Sequence, residues 1–207
     1  MMGGSLSLTH PGDATQSCGG ITLGMTDGVL VRAALAGDDR AFTTLVDRHA
    51  PACLRFAGRM LGELADAEDA AQETFLRAFK ALRSYDDETP FRTWLFAILV
   101  NRCRTSLMRR ARRERRVVHG APVTEVAASG DDARALEFRE EIAWALAALP
   151  AEQREAFLLK HVEQLSYDEM VSITGAGASA LRMRVKRACD RLQVLLGDEG
   201  RTRTHER

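Results

Sequence analysis

LSYDEMVSITGAGASALRMRVKRACDRL, residues 165–192, carries the most specific local signals in the chain. Ser166 followed three residues later by Glu169 is a capping-box pattern, in which a hydroxyl and a carboxylate reciprocally satisfy the first free N–H groups of a helix. A short helix is expected from there to Gly175, whose missing side chain permits the positive φ of a tight turn. A second helix is expected to start near Ala178 and to carry Arg182, Arg184, Lys186, Arg187 and Arg191. Helix, glycine turn and basic helix form the pattern of a helix-turn-helix. Such a unit lays its second helix in the major groove of duplex DNA, where its N-terminal side chains reach base edges. Two helices of an ordinary bundle with a solvated basic face would look the same locally, so the rest of the chain has to decide. Arg182 and Lys186 share a face, and Arg184 and Arg187 roughly share another. Arg182 and Lys186 are the expected DNA contacts, with Arg187 and Arg191 partly on phosphates.

Working outward, apolar residues keep helical spacing on both sides of a break. Leu136, Ile142, Ala145, Leu146 and Leu149 predict a helix from about Arg134 that stops at Pro150, and Ala156, Phe157 and Leu159 one from about Ala151 to Val162. Residues 116–133, RVVHGAPVTEVAASGDDA, lose periodicity and read as a linker punctuated by Gly120, Pro122, Ser129 and Gly130. Before it, residues 91–113 predict a long helix with Trp94, Leu95, Ile98 and Leu99 on its apolar face. The loop YDDETP (85–90) precedes that helix. A further helix is expected from about Ala65 to Ser84, burying Ala71, Phe75, Ala78, Phe79 and Leu82 and turning Glu68, Asp69, Gln72 and Glu73 to the other side. Phe42, Leu45, Val46, Cys53, Ala57, Met60 and Leu61 predict another from about 38 to 61, kinked or restarted at Pro51 and broken by Gly62. Asp27 is a candidate helix cap, Met25 a candidate functional start, and residues 1–26 read as a disordered tail.

The fold class is therefore all-α: two small helical domains joined by a flexible linker, the C-terminal one containing the helix-turn-helix. The expected boundaries are 27–115 and 134–198, with the linker at 116–133 and a C-terminal tail at 199–207.

Composition narrows the function classes. The chain has 207 residues, 29 basic and 29 acidic, for no net charge. The charge is segregated, however. Between Asn101 and Arg116 eight of sixteen residues are Arg and only Glu114 is acidic, whereas Glu63, Asp66, Glu68, Asp69 and Glu73 crowd the stretch before. A neutral chain with one basic and one acidic block is suited to two partners of opposite charge. All basic residues but Lys80, Lys160 and Lys186 are Arg, whose planar fork fits phosphates and base edges. Cys18, Cys53, Cys103 and Cys189 match no zinc spacing, and His49 with Cys53 supplies only two ligands, so no metal is expected and the thiols read as reduced. No stretch has the roughly 20 apolar residues of a membrane span, and no signal-peptide pattern is visible, which makes the cytoplasm the default location. Without a phosphate loop of the Walker type, a zinc set or a triad, neither enzyme nor cofactor is expected.

Four stretches in order resemble the extracytoplasmic-function group of the sigma-70 family. DDRAFTTLVDRHAP (38–51) is similar to the opening of the family's region 2, and DAEDAAQETFLRAFKAL (66–82) to its polymerase-gripping signature. FRTWLFAILVNRCRTSLMRRARR (91–113) is similar to the promoter-melting and −10 helix, and residues 145–196 to region 4, which reads the −35 element. The resemblance implies a promoter-specificity subunit that binds core RNA polymerase, contacts duplex −35 and melted −10 DNA, and is held by an anti-sigma protein. It implies a polymerase interface in or beside Asp66, Glu68, Asp69, Gln72 and Phe75, with Phe75 equally suited to the core. It implies −10 contacts among Trp94, Asn101, Arg102, Arg104, Arg109 and Arg110, where Trp94 either packs or stacks on a base. The loop 85–90 would wall a pocket for a flipped base. For −35 DNA it implies Ser179, Arg182, Met183, Lys186 and Arg187. The chain departs from the family at Thr105, where an acidic residue is usual, at Met108, and at Ser179, Ala180, Leu181 and Met183, which remove hydroxyls near base edges. A conventional helix-turn-helix regulator and a sigma-like polymerase-binding antagonist are the competing readings. The first would ignore core polymerase, and the second would bind it without starting transcription.

Overall fold

A computed structural model describes residues 24–114 and 133–202, and every described element is helical. The N-terminal unit holds α1 (Asp27–Leu35), α2 (Asp39–Leu61), α3 (Leu64–Ala81, continued by a 3₁₀ turn, Leu82–Ser84) and α4 (Phe91–Glu114). The C-terminal unit holds α5 (Ala133–Ala147), α6 (Ala151–Phe157, continued by a π-helical turn, Leu158–Val162), α7 (Tyr167–Thr174) and α8 (Ala178–Thr202). The sequence-based linker and most of both tails lie outside the described residues. Met25 belongs to the fold: it packs against the core, and its carbonyl accepts a hydrogen bond from Arg48 Nη2 at 2.9 Å.

Local chemistry explains the ends of these helices. Asp38 caps α2 by accepting from the Arg40 N–H at 3.0 Å, and Gly62 closes the same helix at φ 84°. Asp27 does not cap α1; Thr26 holds that position. The Asp27 carboxylate instead pairs with Arg48 and His49, stapling α1 onto α2, because two cationic or donating groups outbid one backbone N–H. Pro51 neither ends nor restarts α2, which runs unbroken. A proline inside a helix costs about 3 kcal/mol, but Leu45, Cys53, Phe56, Ala57 and Met60 on both sides are fully buried and hold the helix in the core.

In the N-terminal unit α2, α3 and α4 pack around Leu45, Phe56, Met60, Phe91, Leu95, Phe96 and Leu99. Ala71, Ala78 and Leu82 of the expected α3 stripe are buried, and Phe75 is half-buried against the core. Phe79 is not in that stripe. It follows Ala78 by 100° of helical turn, is 54% exposed, and rests edge-on against Phe42 with ring centres 5.0 Å apart. Ala67, Ala70 and Thr74 complete the buried face instead.

In the C-terminal unit Ala145, Leu146, Leu149, Leu158, Leu159, Leu165, Met170, Leu181, Val185 and Ala188 make the core. The helix expected at 151–162 forms, but its last five residues widen into the π turn. Cys53 and Cys103 are fully buried, and burial pushes both thiols up to about 12, so they behave as small apolar side chains.

Candidate nucleic-acid interface

Ser166 accepts a hydrogen bond from the Glu169 N–H at 3.2 Å while the Glu169 carboxylate accepts from the Ser166 N–H at 2.8 Å and its hydroxyl at 2.7 Å. These bonds, the Ser166 hydroxyl first, hold the Glu169 carboxyl below its ordinary range. Gly175 closes α7 in the left-handed region at φ 71°, and α8 begins three residues later. The capping box thus fixes where α7 begins, and the glycine turn at its other end lets α8 leave at an angle, the geometry of a helix-turn-helix.

On α8 the residues divide by face. Leu181, Val185, Ala188 and Leu192 are buried at helical spacing, while Ser179, Arg182, Met183, Lys186 and Arg187 are exposed on the other side. All five expected −35 residues therefore share one solvent-facing surface. Leu181, one of the departures from the family pattern, is a core residue. Arg184 is turned aside and pairs with Glu152 of α6 at 2.7 Å. No local pattern singles out Tyr167, whose ring centre lies 4.9 Å from both Arg182 Cζ and Lys160 Nζ.

The expected −10 residues do not form one uniform surface. Asn101 and Arg109 are exposed. Arg102 lies 3.7 Å from Glu73, and Arg110 lies 3.4 Å from Glu63, so both arginines reach back to acids at α3. Arg104 points to the C-terminal unit and pairs with Glu155, which raises its pKa further. Trp94 is half-buried in an aromatic cluster, 5.2 Å from Tyr85 and 5.6 Å from Phe91 between ring centres. Tyr85 also donates to the Thr89 carbonyl at 2.7 Å, which ties down the loop before α4. Packing and base stacking are thus both open to Trp94, whose remaining surface adjoins that loop.

On α3, Glu68, Asp69 and Gln72 are exposed, and Asp66 and Phe75 are half-buried. Leu76 and Phe79 are exposed along the same helix. Spacings of four, four and three residues put Glu68, Gln72, Leu76 and Phe79 on one face. The sequence reading missed this apolar extension because it assigned Phe79 to the core.

An arginine-rich helix in one helical unit and a helix-turn-helix in the other define a two-unit, all-α DNA-binding protein. Comparison with known proteins makes the class specific. Residues 45–113 match the family model "Sigma-70 region 2", and residues 139–192 match "Sigma-70, region 4". The chain is 33% identical over 162 residues to RNA polymerase sigma factor CarQ of Myxococcus xanthus, covering 78% of this chain and 92% of that one. It is 29% identical over 174 residues to the ECF RNA polymerase sigma-E factor of Escherichia coli (strain K12), covering 79% and 91%. The solved structure of CnrH in complex with the cytosolic domain of CnrY superposes with a TM-score of 0.64 at 31% identity, over 83% of this chain and 97% of that one. The chain belongs to the extracytoplasmic-function group of the sigma-70 family of RNA polymerase sigma factors.

Proposed function

We propose that the protein binds core RNA polymerase through the exposed face of α3, holds the melted −10 strand with α4 and the loop 85–90, and reads duplex −35 DNA with α8. The observation that carries this reading is the facial division of α8. Ser179, Arg182, Met183, Lys186 and Arg187 are presented to solvent by a helix whose opposite face is locked into the core. A helix so held presents side chains to base edges without paying to order its own backbone. The linker bridges two DNA sites separated along a promoter. The protein acts by binding, the reactions being those of the polymerase, and works in the cytoplasm; no helix among the described residues is long and apolar enough to cross a membrane.

The α3 surface joins acids at Glu68 and Asp69 to apolar groups at Leu76 and Phe79. Such a strip suits a polymerase element with basic and apolar side chains, charge setting the encounter and apolar contact the residence time. The structural relatives include CnrH bound to CnrY, and RpoE of Bartonella quintana bound to the anti-sigma factor NepR. An anti-sigma protein is accordingly proposed as a further partner here.

The docking surface is tested by measuring the affinity of core polymerase for Glu68→Arg/Asp69→Arg. Loss of binding with unchanged helix content is expected, and unchanged affinity would remove α3 from the interface.

A further inference from the structure

The two helical units are joined by a polar seam that the sequence did not announce. Arg104 of α4 gives Glu155 of α6 two charge-assisted hydrogen bonds, from Nε to Oε2 at 2.8 Å and from Nη2 to Oε1 at 2.6 Å. Its third nitrogen, Nη1, reaches the Thr174 carbonyl at 3.5 Å. One end of α4 is held in the same way: Arg92 donates to the Glu163 carboxylate at 2.6 Å and to the Glu163 carbonyl at 3.0 Å. Each acid is only 2% exposed. Between these clamps α7 lies against α4, and Thr93 donates to Glu169 at 3.3 Å.

Burying a carboxylate costs several kcal/mol unless a cation and hydrogen bonds answer it. For Glu155 and Glu163 the answering cations come from the other unit. The seam is not fully satisfied, because Glu163 Oε1 is buried without a partner. Opening would hydrate that atom, which offsets part of the cost of parting the seam. To a guanidinium fork, a carboxylate and a phosphate offer the same pair of oxygen acceptors. Arg104 commits three of its five N–H donors to Glu155 and Thr174, and the paired fork that would grip a phosphate is the one on Glu155.

We propose that Glu155 and Glu163 are internal phosphate mimics, which hold Arg104 and Arg92 in a closed arrangement that the sugar–phosphate backbone of DNA displaces when the units part. Arg92 thereby becomes a nucleic-acid contact on α4. The proposal rests on the reading of α4 as a DNA-binding helix. Closure and DNA binding oppose each other, and the linkage is reciprocal: DNA favours the open chain, and weakening closure favours DNA.

The test uses the full chain, a fluorescein-labelled dT20 strand as probe, and X-ray scattering for the radius of gyration, all at one salt concentration. Wild type is expected to expand on binding dT20. Glu155→Gln/Glu163→Gln is expected to be expanded without DNA and to bind dT20 about 5–150-fold more tightly, the usual range of such couplings. Asp47→Asn/Glu140→Gln makes the same charge change at exposed sites and should neither expand nor gain comparably. A wild-type radius that stays constant at saturating dT20 would overturn the proposal, and this measurement decides even if the double variant fails to fold. Expansion of the variant without tighter binding would also overturn it. If neither form binds dT20, the mimicry is wrong, while transcription by the same preparation with core polymerase would leave the sigma-factor reading intact.

Discussion

The guanidinium carbon of Arg182 lies 4.9 Å from the centre of the Tyr167 ring, which joins the first residue of α7 to the DNA-facing side of α8. Lys160 Nζ sits at the same distance from that ring and donates to the Leu165 carbonyl at 3.0 Å. A cation over an aromatic face is worth about 0.5–1 kcal/mol at exposed sites. The contact restricts where an exposed, rotamer-rich arginine points. Tyr167→Leu is therefore expected to weaken holoenzyme binding to a cognate promoter about two- to fivefold, and Tyr167→Phe to restore it, since Phe keeps the ring. Fluorescence anisotropy on cognate and −35-scrambled fragments checks this; an equal loss on both would make Tyr167 a purely structural residue.

Arg182→Ala should lower selectivity for the cognate −35 element by about 1–3 kcal/mol if its fork reads a base edge. Equal losses on cognate and scrambled DNA would reassign Arg182 to a phosphate. Because Tyr167 and Arg182 touch, combining Tyr167→Leu with Arg182→Ala should cost less than the two single losses added together.

Ser166→Ala removes one side of the capping box. A destabilisation of about 1 kcal/mol is expected, the usual worth of a helix N-cap, read from the denaturant midpoint at constant slope. A midpoint shift of zero would show that Glu169, which also contacts Thr93, holds the end of α7 alone.

His49 makes stability pH-dependent. Its Nε2 lies 2.9 Å from Asp27 Oδ2, yet burial outweighs the attraction of that carboxylate and lowers the imidazole pKa below 6.5. With the folded pKa below the unfolded one, the unfolded chain binds more protons as pH falls through 6.5 towards the folded value. The contribution of His49 is therefore complete above that window and is lost on acidification. Melting temperatures measured between pH 7.5 and 5.5, buffer values chosen to bracket the ordinary histidine range of about 6.5, should fall more steeply for wild type than for His49→Gln. Parallel slopes would remove His49 as the cause.

What the sequence disclosed and what it hid divide along physical lines. The capping box, Gly175 and the α8 stripe were legible because each depends on residues within one or two helical turns. Phe79 was misplaced because it borders the buried stripe, where 100° of rotation separates core from solvent. Pro51 reads locally as a kink or a restart because propensity acts locally, and the restart does not occur because the burial that holds α2 together comes from α3 and α4. The pairs Arg92–Glu163 and Arg104–Glu155 span 71 and 51 residues and have no local signature at all. The resemblance implied a DNA role for Arg104, but only the fold shows that an acid from the other unit already holds it.

The most direct test of the central claim is reconstituted transcription: the purified full chain is added to core polymerase on fragmented genomic DNA of the source organism, and transcript 5′ ends are mapped. Discrete starts that share two upstream motifs, absent with core alone, are the expected result. Stable binding to core without such starts, or no binding to core at all, would contradict it.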